Sequence, residues 1–252
     1  MPAQIVLTED VRAILARSII DESTVMLPEQ FDRKTYVAVD KVLKAAGGTW
    51  NRGKKAHVFT KDPRVVLGLA IDDGVITDKK IALQQFFTPE WLAETFVLDA
   101  QIHEGDRLLE PSAGDGALVK QVIRYVHVPP TVIHCIEIDR DLVNTIHDLG
   151  FLCMHGDFLT RQPNKMYDLI LMNPPFTRGQ DMQHILHAIK FLVPGGRLYA
   201  MASAGVQFGT TKLHAQFKET LGGWWQYIED LPIDAFVESG TNVRAVKVQY
   251  IA

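Results

Sequence analysis

From Arg107 onward the sequence alternates short apolar runs with helix-length amphipathic stretches, and few architectures tolerate that rhythm. The apolar runs occupy 107–110, 131–138, 151–155, 167–172 and 197–201, with candidate helices at 117–126, 140–148 and 181–192. Parallel strands need a long crossover, usually a helix, so this alternation predicts a parallel sheet with helices packed on it. Pro194-Gly195-Gly196 reads as the turn feeding the fifth strand. The stretch from Gly240 to Ile251 alternates polar and apolar residues as a half-buried strand does.

The 252 residues are 47% hydrophobic and 22% charged, enough to bury a proper core and unlike disordered, collagenous or coiled-coil chains. No apolar run approaches the ~20 residues of a membrane helix. Glu9, Asp10 and Arg12 stand where a signal peptide would be apolar. Cys135 and Cys153 are the two cysteines, too few for a disulfide framework or a cysteine-rich zinc site. The expectation is a soluble cytoplasmic protein that needs no metal.

The first 80 residues have a different texture. Thr8 followed by Glu9 and Asp10 is a helix start, with Val11, Ile14, Leu15, Ile19 and Ile20 at roughly helical spacing. A second helix is expected from Phe31 to Ala46, stopped by Gly47-Gly48, and a third at 63–72 with Pro63 in its first turn. Between them, Thr49 to Phe59 reads as a short hairpin with Arg52, Lys54, Lys55 and His57 at or near its tip. We place a boundary near residue 80, giving a small α/β region at 1–80 and a larger domain at 81–252. Net charge is −4, so nothing global advertises nucleic-acid binding. Residues 1–81 nevertheless carry 13 basic and 11 acidic side chains, against 13 and 19 in the remainder. A basic patch for nucleic acid is therefore expected in the first third.

Candidate chemistry gathers at the strand ends. Glu110-Pro111-Ser112-Ala113-Gly114-Asp115-Gly116 takes the chain from a strand through a small-residue loop into a helix. Glycines let backbone approach a ligand closely, and ligands of open α/β sheets bind outside the carboxyl ends of the strands. The loop lacks the Gly-Lys-Ser/Thr of a phosphate-cradling loop and is flanked by carboxylates, which repel pyrophosphate. Its ligand is expected to be cationic or rich in hydroxyl donors. Glu137-Ile138-Asp139 puts an acid at the end of the next strand, suited to ribose hydroxyls, with Asp139 placed to cap the following helix. Gly156-Asp157-Phe158 follows a third strand, where an Asp can accept from an adenine amino group and a Phe can pack on the ring.

The decisive feature is the apolar run 168–172 ending in Asn173-Pro174-Pro175-Phe176. Two prolines stiffen the backbone and remove two N–H donors, so carbonyls are the polar groups on offer. Asn173 adds a side-chain carbonyl and Phe176 a flat apolar face. Such a site suits an amino group on an aromatic ring.

From about Phe86 onward the chain resembles S-adenosylmethionine-dependent adenine-modifying DNA methyltransferases, with the cofactor loop ahead of the Asn-Pro-Pro-Phe tetrapeptide as in that family's gamma arrangement. The resemblance implies a Rossmann-like methyltransferase fold, a mostly parallel seven-stranded sheet with helices on both faces. It implies that Gln85-Phe86-Phe87-Thr88-Pro89 covers the methionine end of the cofactor and that Glu110 to Gly116 binds it. Glu137 with Ile138 would meet the ribose and Asp157 with Phe158 the adenine. Asn173, Pro174, Pro175 and Phe176 would be catalytic, with Asn173 also at the cofactor. The N-terminal hairpin followed by Phe-Phe-Thr-Pro also resembles methylases carried by phages and plasmids. That family commonly has a large target-recognition domain after the sheet. Here about 50 residues follow the fifth strand and read as the last hairpin of the catalytic domain, which shifts attention for DNA contact to residues 1–80.

The implied reaction is methyl transfer to the N6 amino group of adenine in double-stranded DNA, with the base flipped out to reach the pocket. Arg178 is a candidate phosphate contact, and Phe236 is placed near the flipped base by the same resemblance. His184 and His187, at i and i+3 of a helix with no third ligand apparent, are expected on the helix surface. Trp224-Trp225 are expected in the core or at its rim. Two alternatives share the residues: methylation of an RNA base or of a protein glutamine amide by the same tetrapeptide, and a non-catalytic relic that binds cofactor and DNA. A separate nuclease partner and the oligomeric state leave no mark in the sequence.

Overall fold

The computed structural model describes residues 4–60, 62–77, 87–126, 129–239 and 241–252, and the chain divides into two compact units, Met1–Gln85 and Phe86–Ala252. Gln85, Phe86 and Gly240, named above, lie outside the described residues, as does the stretch around residue 80.

The first unit runs β1 (Gln4–Val6), α1 (Glu9–Arg17), β2 (Ile19–Asp21), β3 (Thr24–Met26), α2 (Arg33–Ala45), β4 (Thr49–Asn51), β5 (Ala56–Val58), α3 (Arg64–Asp73) and β6 (Val75–Thr77). β1 and β6 pair antiparallel, and an antiparallel sheet has the order β2-β3-β5-β4. Thr8 caps α1, its hydroxyl accepting from the Val11 N–H. The helix ends before Ile19 and Ile20, contrary to the spacing. Ser18 takes an extended backbone, and its N–H and hydroxyl turn back onto the carbonyls of Leu15 and Ile14. Ile19 and Ile20 consequently open β2. Asp32 caps α2 through the N–H groups of Lys34 (2.8 Å) and Thr35 (3.1 Å). After α2 a side chain at Gly48 would strike the Phe59 ring (2.6 Å) and the Leu43 carbonyl (2.9 Å), so only glycine lets the hairpin fold back here.

The hairpin corrects one expectation. Arg52, Lys54 and Lys55 are exposed at its tip, but His57 is not. β5 is an internal strand, and His57 pairs with Trp50 in register and is 0% exposed. Its Nε2 lies 2.9 Å from Asp40, whose other oxygen meets Lys44 at 2.8 Å, and the Trp50 ring covers it at 5.2 Å. Burial opposes ionisation of Asp40, yet its hydrogen bonds from Lys44 and His57 hold the carboxyl below its usual range. His57 therefore serves the core of this unit and offers nothing to a nucleic acid.

The second unit contains α4 (Glu90–Asp99), β7 (Leu108–Glu110), α5 (Ala117–Val126), β8 (Ile133–Glu137), α6 (Arg140–Asp148), β9 (Leu152–His155), β10 (Tyr167–Met172), α7 (Gln180–Ile189), β11 (Leu192–Ser203), α8 (Lys212–Leu221), β12 (Glu229–Asp230) and β13 (Ala245–Ile251). Its seven-stranded sheet has the order β12-β13-β11-β10-β7-β8-β9. β11, β10, β7, β8 and β9 run parallel, and β13 inserts antiparallel between β11 and β12. The fifth strand starts at Leu192, earlier than expected, because Leu192 already pairs with Tyr167. Pro194-Gly195-Gly196 is thus a bulge inside the strand, with the Gly195 N–H donating to the Ala252 carbonyl.

Successive side chains of a strand point to opposite faces, and here each face meets a separate apolar layer. Leu108, Leu169 and Leu171 pack with Phe96, Val122 and Ile146, drawn from α4, α5 and α6. Leu109, Ile170 and Met172 pack with Met182, Ile185 and Phe217, drawn from α7 and α8. The run 168–172 is continuously apolar after Asp168 because it is covered on both sides. Trp224 and Trp225 lie partly buried at the rim of the second layer. Among the described residues, no helix is long and apolar enough to cross a membrane. Ile170 is fully buried in the central strand pair. Ile170→Ala should cost about 2–5 kcal/mol, read as a lower denaturant midpoint for the unfolding of this unit.

Candidate active site

β7 pairs with both β8 and β10, so the order of strand addition reverses there and a crevice opens beyond the carboxyl ends. Each strand end delivers a polar group to that edge. Glu110 ends β7 and is 2% exposed, and its Oε2 has no hydrogen-bond partner among the described residues. Burial, reinforced by the negative charges of Glu137 and Asp115, pushes its carboxyl well above the usual range. A buried carboxylate oxygen left in this state lacks a donor or a cation.

The loop after Glu110 is held by its backbone. The Ala113 N–H donates to the Ile136 carbonyl (3.1 Å), the Gly114 N–H to Glu137 Oε2 (2.8 Å), and the Gly116 N–H to the Ala113 carbonyl (2.8 Å). Pro111 is buried and Ser112 half-buried, while Asp115 accepts from the Ala117 N–H at the start of α5. Gly114 has φ +55°, and a side chain on it would stand 3.4 Å from the Phe87 ring. Phe87 therefore lies against the glycine, and its carbonyl is tied down by the hydroxyl of Ser239.

Glu137, at the end of β8, has its second oxygen on the Asp139 N–H (2.8 Å). Burial raises its carboxyl above the ordinary range, opposed by the N–H groups of Asp139 and Gly114. Ile138 is exposed beside it, and Asp139 caps α6 through the Asp141 N–H. Asp157 is exposed past β9 and accepts from the Leu159 N–H (2.9 Å). Phe158, by contrast, turns into the core, its ring centroid 4.8 Å from His187 and 5.1 Å from Phe191.

Asn173 follows β10, and its Nδ2 donates to the Thr88 hydroxyl at 2.9 Å, across 85 positions of sequence. Pro89 caps α4 directly after Thr88. Pro174 is buried and Pro175 half-buried. Phe176 is 7% exposed, with its ring edge-on to Phe236 at 5.6 Å and 89°. The structure thus brings together Phe87 with Gly114, Gly114 with Glu137, and Thr88 with Asn173. Arg52, Lys54, Lys55 and His57 belong to the first unit.

Several residues here escaped the sequence reading. Asp181 is 0% exposed in the first turn of α7, and Ser203 at the end of β11 gives it both N–H (2.9 Å) and hydroxyl (2.7 Å). The Met182 N–H takes its other oxygen. Burial pushes its carboxyl up against those donors. An acid in a first helical turn looks like ordinary capping, and nothing in the sequence marked Ser203 or Ser239. Arg178 is exposed in a left-handed conformation (φ +57°), followed by Gly179 at φ +72°. His184 and His187 also depart from the expected helix surface. His184 is buried on α7, which pushes it down to about 4 and keeps it neutral at ordinary pH. His187 reaches the Arg161 carbonyl at 3.0 Å.

Comparison with known proteins fits this geometry. Residues 133–221 match the family model of the methyltransferase small domain. A segment of 107 residues, 42% of this chain and 20% of the relative, is 29% identical to the type II methyltransferase M.HincII of Haemophilus influenzae. A segment of 67 residues, 25% of the chain and 23% of the relative, is 39% identical to ribosomal RNA small subunit methyltransferase A of Synechococcus sp. strain CC9902. The chain thus spans about a fifth of the length of these relatives. Among solved structures, a type I restriction-modification methyltransferase subunit from Streptococcus thermophilus superposes with a TM-score of 0.56 at 18% identity, over 66% of this chain and 44% of that one. The fold of the second unit is the Rossmann-like methyltransferase fold.

Glu110 has a consequence that thermal unfolding can read. Its folded carboxyl binds a proton more tightly than the unfolded one, so this residue lowers stability as pH rises above the ordinary value of 4.5 towards the raised folded value. Glu110→Gln should remove that loss. The melting temperature of the unsubstituted chain should fall relative to the variant's between pH 5 and pH 8, and parallel curves would contradict the burial argument.

Proposed function

We propose that this chain transfers a methyl group from S-adenosylmethionine to the exocyclic N6 amino group of adenine in DNA, as modification methylases of restriction-modification systems do. The observation that carries the reading is the convergence at the β7–β10 switch point. The Glu110–Gly116 loop, its Phe87 cover and Asn173 meet there, and Asn173 is tied to Thr88 next to Phe87.

The residues present fit the cofactor. Glu110 offers a buried carboxylate oxygen in want of a donor, which the ammonium of the methionine portion supplies. Gly114 leaves room for backbone approach under Phe87. Thr88, Pro89, Pro111, Ser112, Ala113, Asp115 and Gly116 complete the surround of the methionine end. Glu137 and Ile138 serve the ribose, and Asp157 the adenine. The Phe158 ring is already packed on His187 and Phe191, so the part proposed for it is an apolar edge and not a stacking face. When bound, the cofactor supplies an electrophilic methyl on a sulfonium.

The chain's own work is to prepare the acceptor nitrogen. The lone pair of an aromatic amino group is delocalised into the ring. Donating both hydrogens, to the Asn173 side-chain oxygen and the Pro174 carbonyl, favours a tetrahedral nitrogen and returns the lone pair to it. The bond from Asn173 Nδ2 to Thr88 fixes which end of the amide faces the acceptor. Pro174 and Pro175 hold those oxygens still, so positioning provides most of the rate. A base within a duplex must be extruded to reach such oxygens. Phe176 and Phe236 form the apolar wall, and stacking on an extruded ring requires this edge-on pair to part. Arg178 and the hairpin residues Arg52, Lys54 and Lys55 contact phosphates.

The longer sequence match is to a type II methyltransferase and the shorter one to a ribosomal RNA methyltransferase, which favours DNA over RNA. Nucleoside mass spectrometry of DNA and RNA from cells expressing the chain tests the choice. N6-methyladenine should appear in DNA, and its absence there, or its confinement to RNA, would overturn it. Asn173→Ala should retain cofactor binding and lose at least ~100-fold in turnover, the scale of one positioned polar group. Unaltered transfer would refute the assigned role. Reversing charge at Lys54 and Lys55 should weaken DNA binding and reduce the salt slope by about 2. An unchanged slope would make the tip a solvated surface only.

A further inference from the structure

The loop that follows β11 carries the most exposed large apolar side chain among the described residues. Phe208 is 78% exposed, whereas Val206, two positions earlier, is buried in the second apolar layer. The ring is held out on a braced support. The N–H groups of Phe208 and Gly209 both donate to the Gly205 carbonyl (3.2 Å each). Any side chain on Gly209 would collide with the His214 ring, so α8 packs directly on the loop backbone. The Thr211 hydroxyl lies 2.7 Å from His214 Nδ1 and anchors that ring.

β11 pairs parallel with β10, Ala200 opposite Met172, so this loop leaves the sheet at the edge that bears Asn173. Gly179 lets the two loops meet, because a side chain there would stand 2.9 Å from Leu213 of α8. Arg178 and Gly179 consequently line one cavity with Gly205, Val206 and Thr211. The charges around Phe208 have one sign. Arg178 and Lys212 are exposed, and no acid occurs in 173–180 or 203–218, although residues 82–252 carry 19 acidic side chains against 13 basic. A single ring set among Gln207, Gly209, Thr210 and Lys212 offers far less than the roughly 1,000 Å² of a protein interface. A flat ring between cations does suit the stacked bases and phosphates of a duplex.

We infer that Phe208 enters the base stack of the DNA duplex beside the extruded adenine, with Arg178 and Lys212 on the flanking phosphates. An aromatic ring in the stack replaces part of the stacking that extrusion breaks and so favours the opened duplex. The inference rests on the DNA-methylation reading above and gives the second unit a DNA contact of its own.

The test uses a duplex bearing one site that the chain modifies, and a copy with 2-aminopurine in place of the target adenine, a probe that brightens when unstacked. Phe208→Ala should lower kcat/KM about tenfold, within the worth of one base–aromatic stack. At saturating protein it should also brighten the probe less than the unsubstituted chain does. Phe208→Trp should keep both readouts, and S-adenosylmethionine affinity should stay unchanged in each variant, which also reports an intact fold. Lys212→Ala should reduce the salt slope of DNA binding by about one. If Phe208→Ala matches the unsubstituted chain in turnover and brightening, the inference is wrong and the methylation reading stands. Dissociation of a dimer by Phe208→Ala with those two readouts unmoved would assign the ring to a second copy and overturn the inference equally. If the unsubstituted chain modifies no DNA, both fall together.

Discussion

The architecture of the second unit turns on β7, the strand where the order of addition reverses, with β8 on one side and β10 on the other. Because β8 adds to one edge of β7 and β10 to the other, the loops leaving β7 and β10 cannot pack over each other's strands. They diverge and leave a gap bounded by Glu110 on one side and Asn173 on the other. Small residues follow Glu110 and prolines follow Asn173.

The electrostatics of the gap have one sign. Glu110 and Glu137 are buried carboxyls raised above their ordinary range, and the backbone N–H groups of Gly114 and Asp139 satisfy only Glu137. An isolated fold would replace Glu110 with a neutral residue. Buried without a partner, its ionised form costs stability, a deficit that a cation or strong donor would end. The hydrogen bond from Asn173 to Thr88 plays a different part, since it couples the segment before α4 to the end of β10.

Much of this was legible in the sequence, for physical reasons. Strands covered on both faces must be apolar throughout, so β10 announced itself from Leu169 to Met172. Helices that cover one face must be amphipathic, so α5, α6 and α7 appeared close to their observed bounds. What failed were positions whose fate is decided by a distant partner. Ile19 and Ile20 keep helical spacing but lie beyond Ser18, where the backbone turns. His57 sits in a basic hairpin, yet its strand is internal and Asp40 of α2 claims it. His184 has the spacing of a surface residue on a helix whose other face proved to be core. Asp181 and Ser203 stand 22 positions apart with no shared motif, and only the parallel pairing of β10 and β11 makes them neighbours.

That last pair constrains how such a chain can drift over evolutionary time. Ser203 gives Asp181 two of its three donors, so losing the hydroxyl leaves a buried acid one donor short, and losing the acid strands a hydroxyl and two amide hydrogens. Neither position is free to wander singly. In kindred proteins they should be inherited as a couplet, exchanged together for an apolar duo or not at all. A lineage that has made the exchange will have repacked the junction of α7 and β11 in one step.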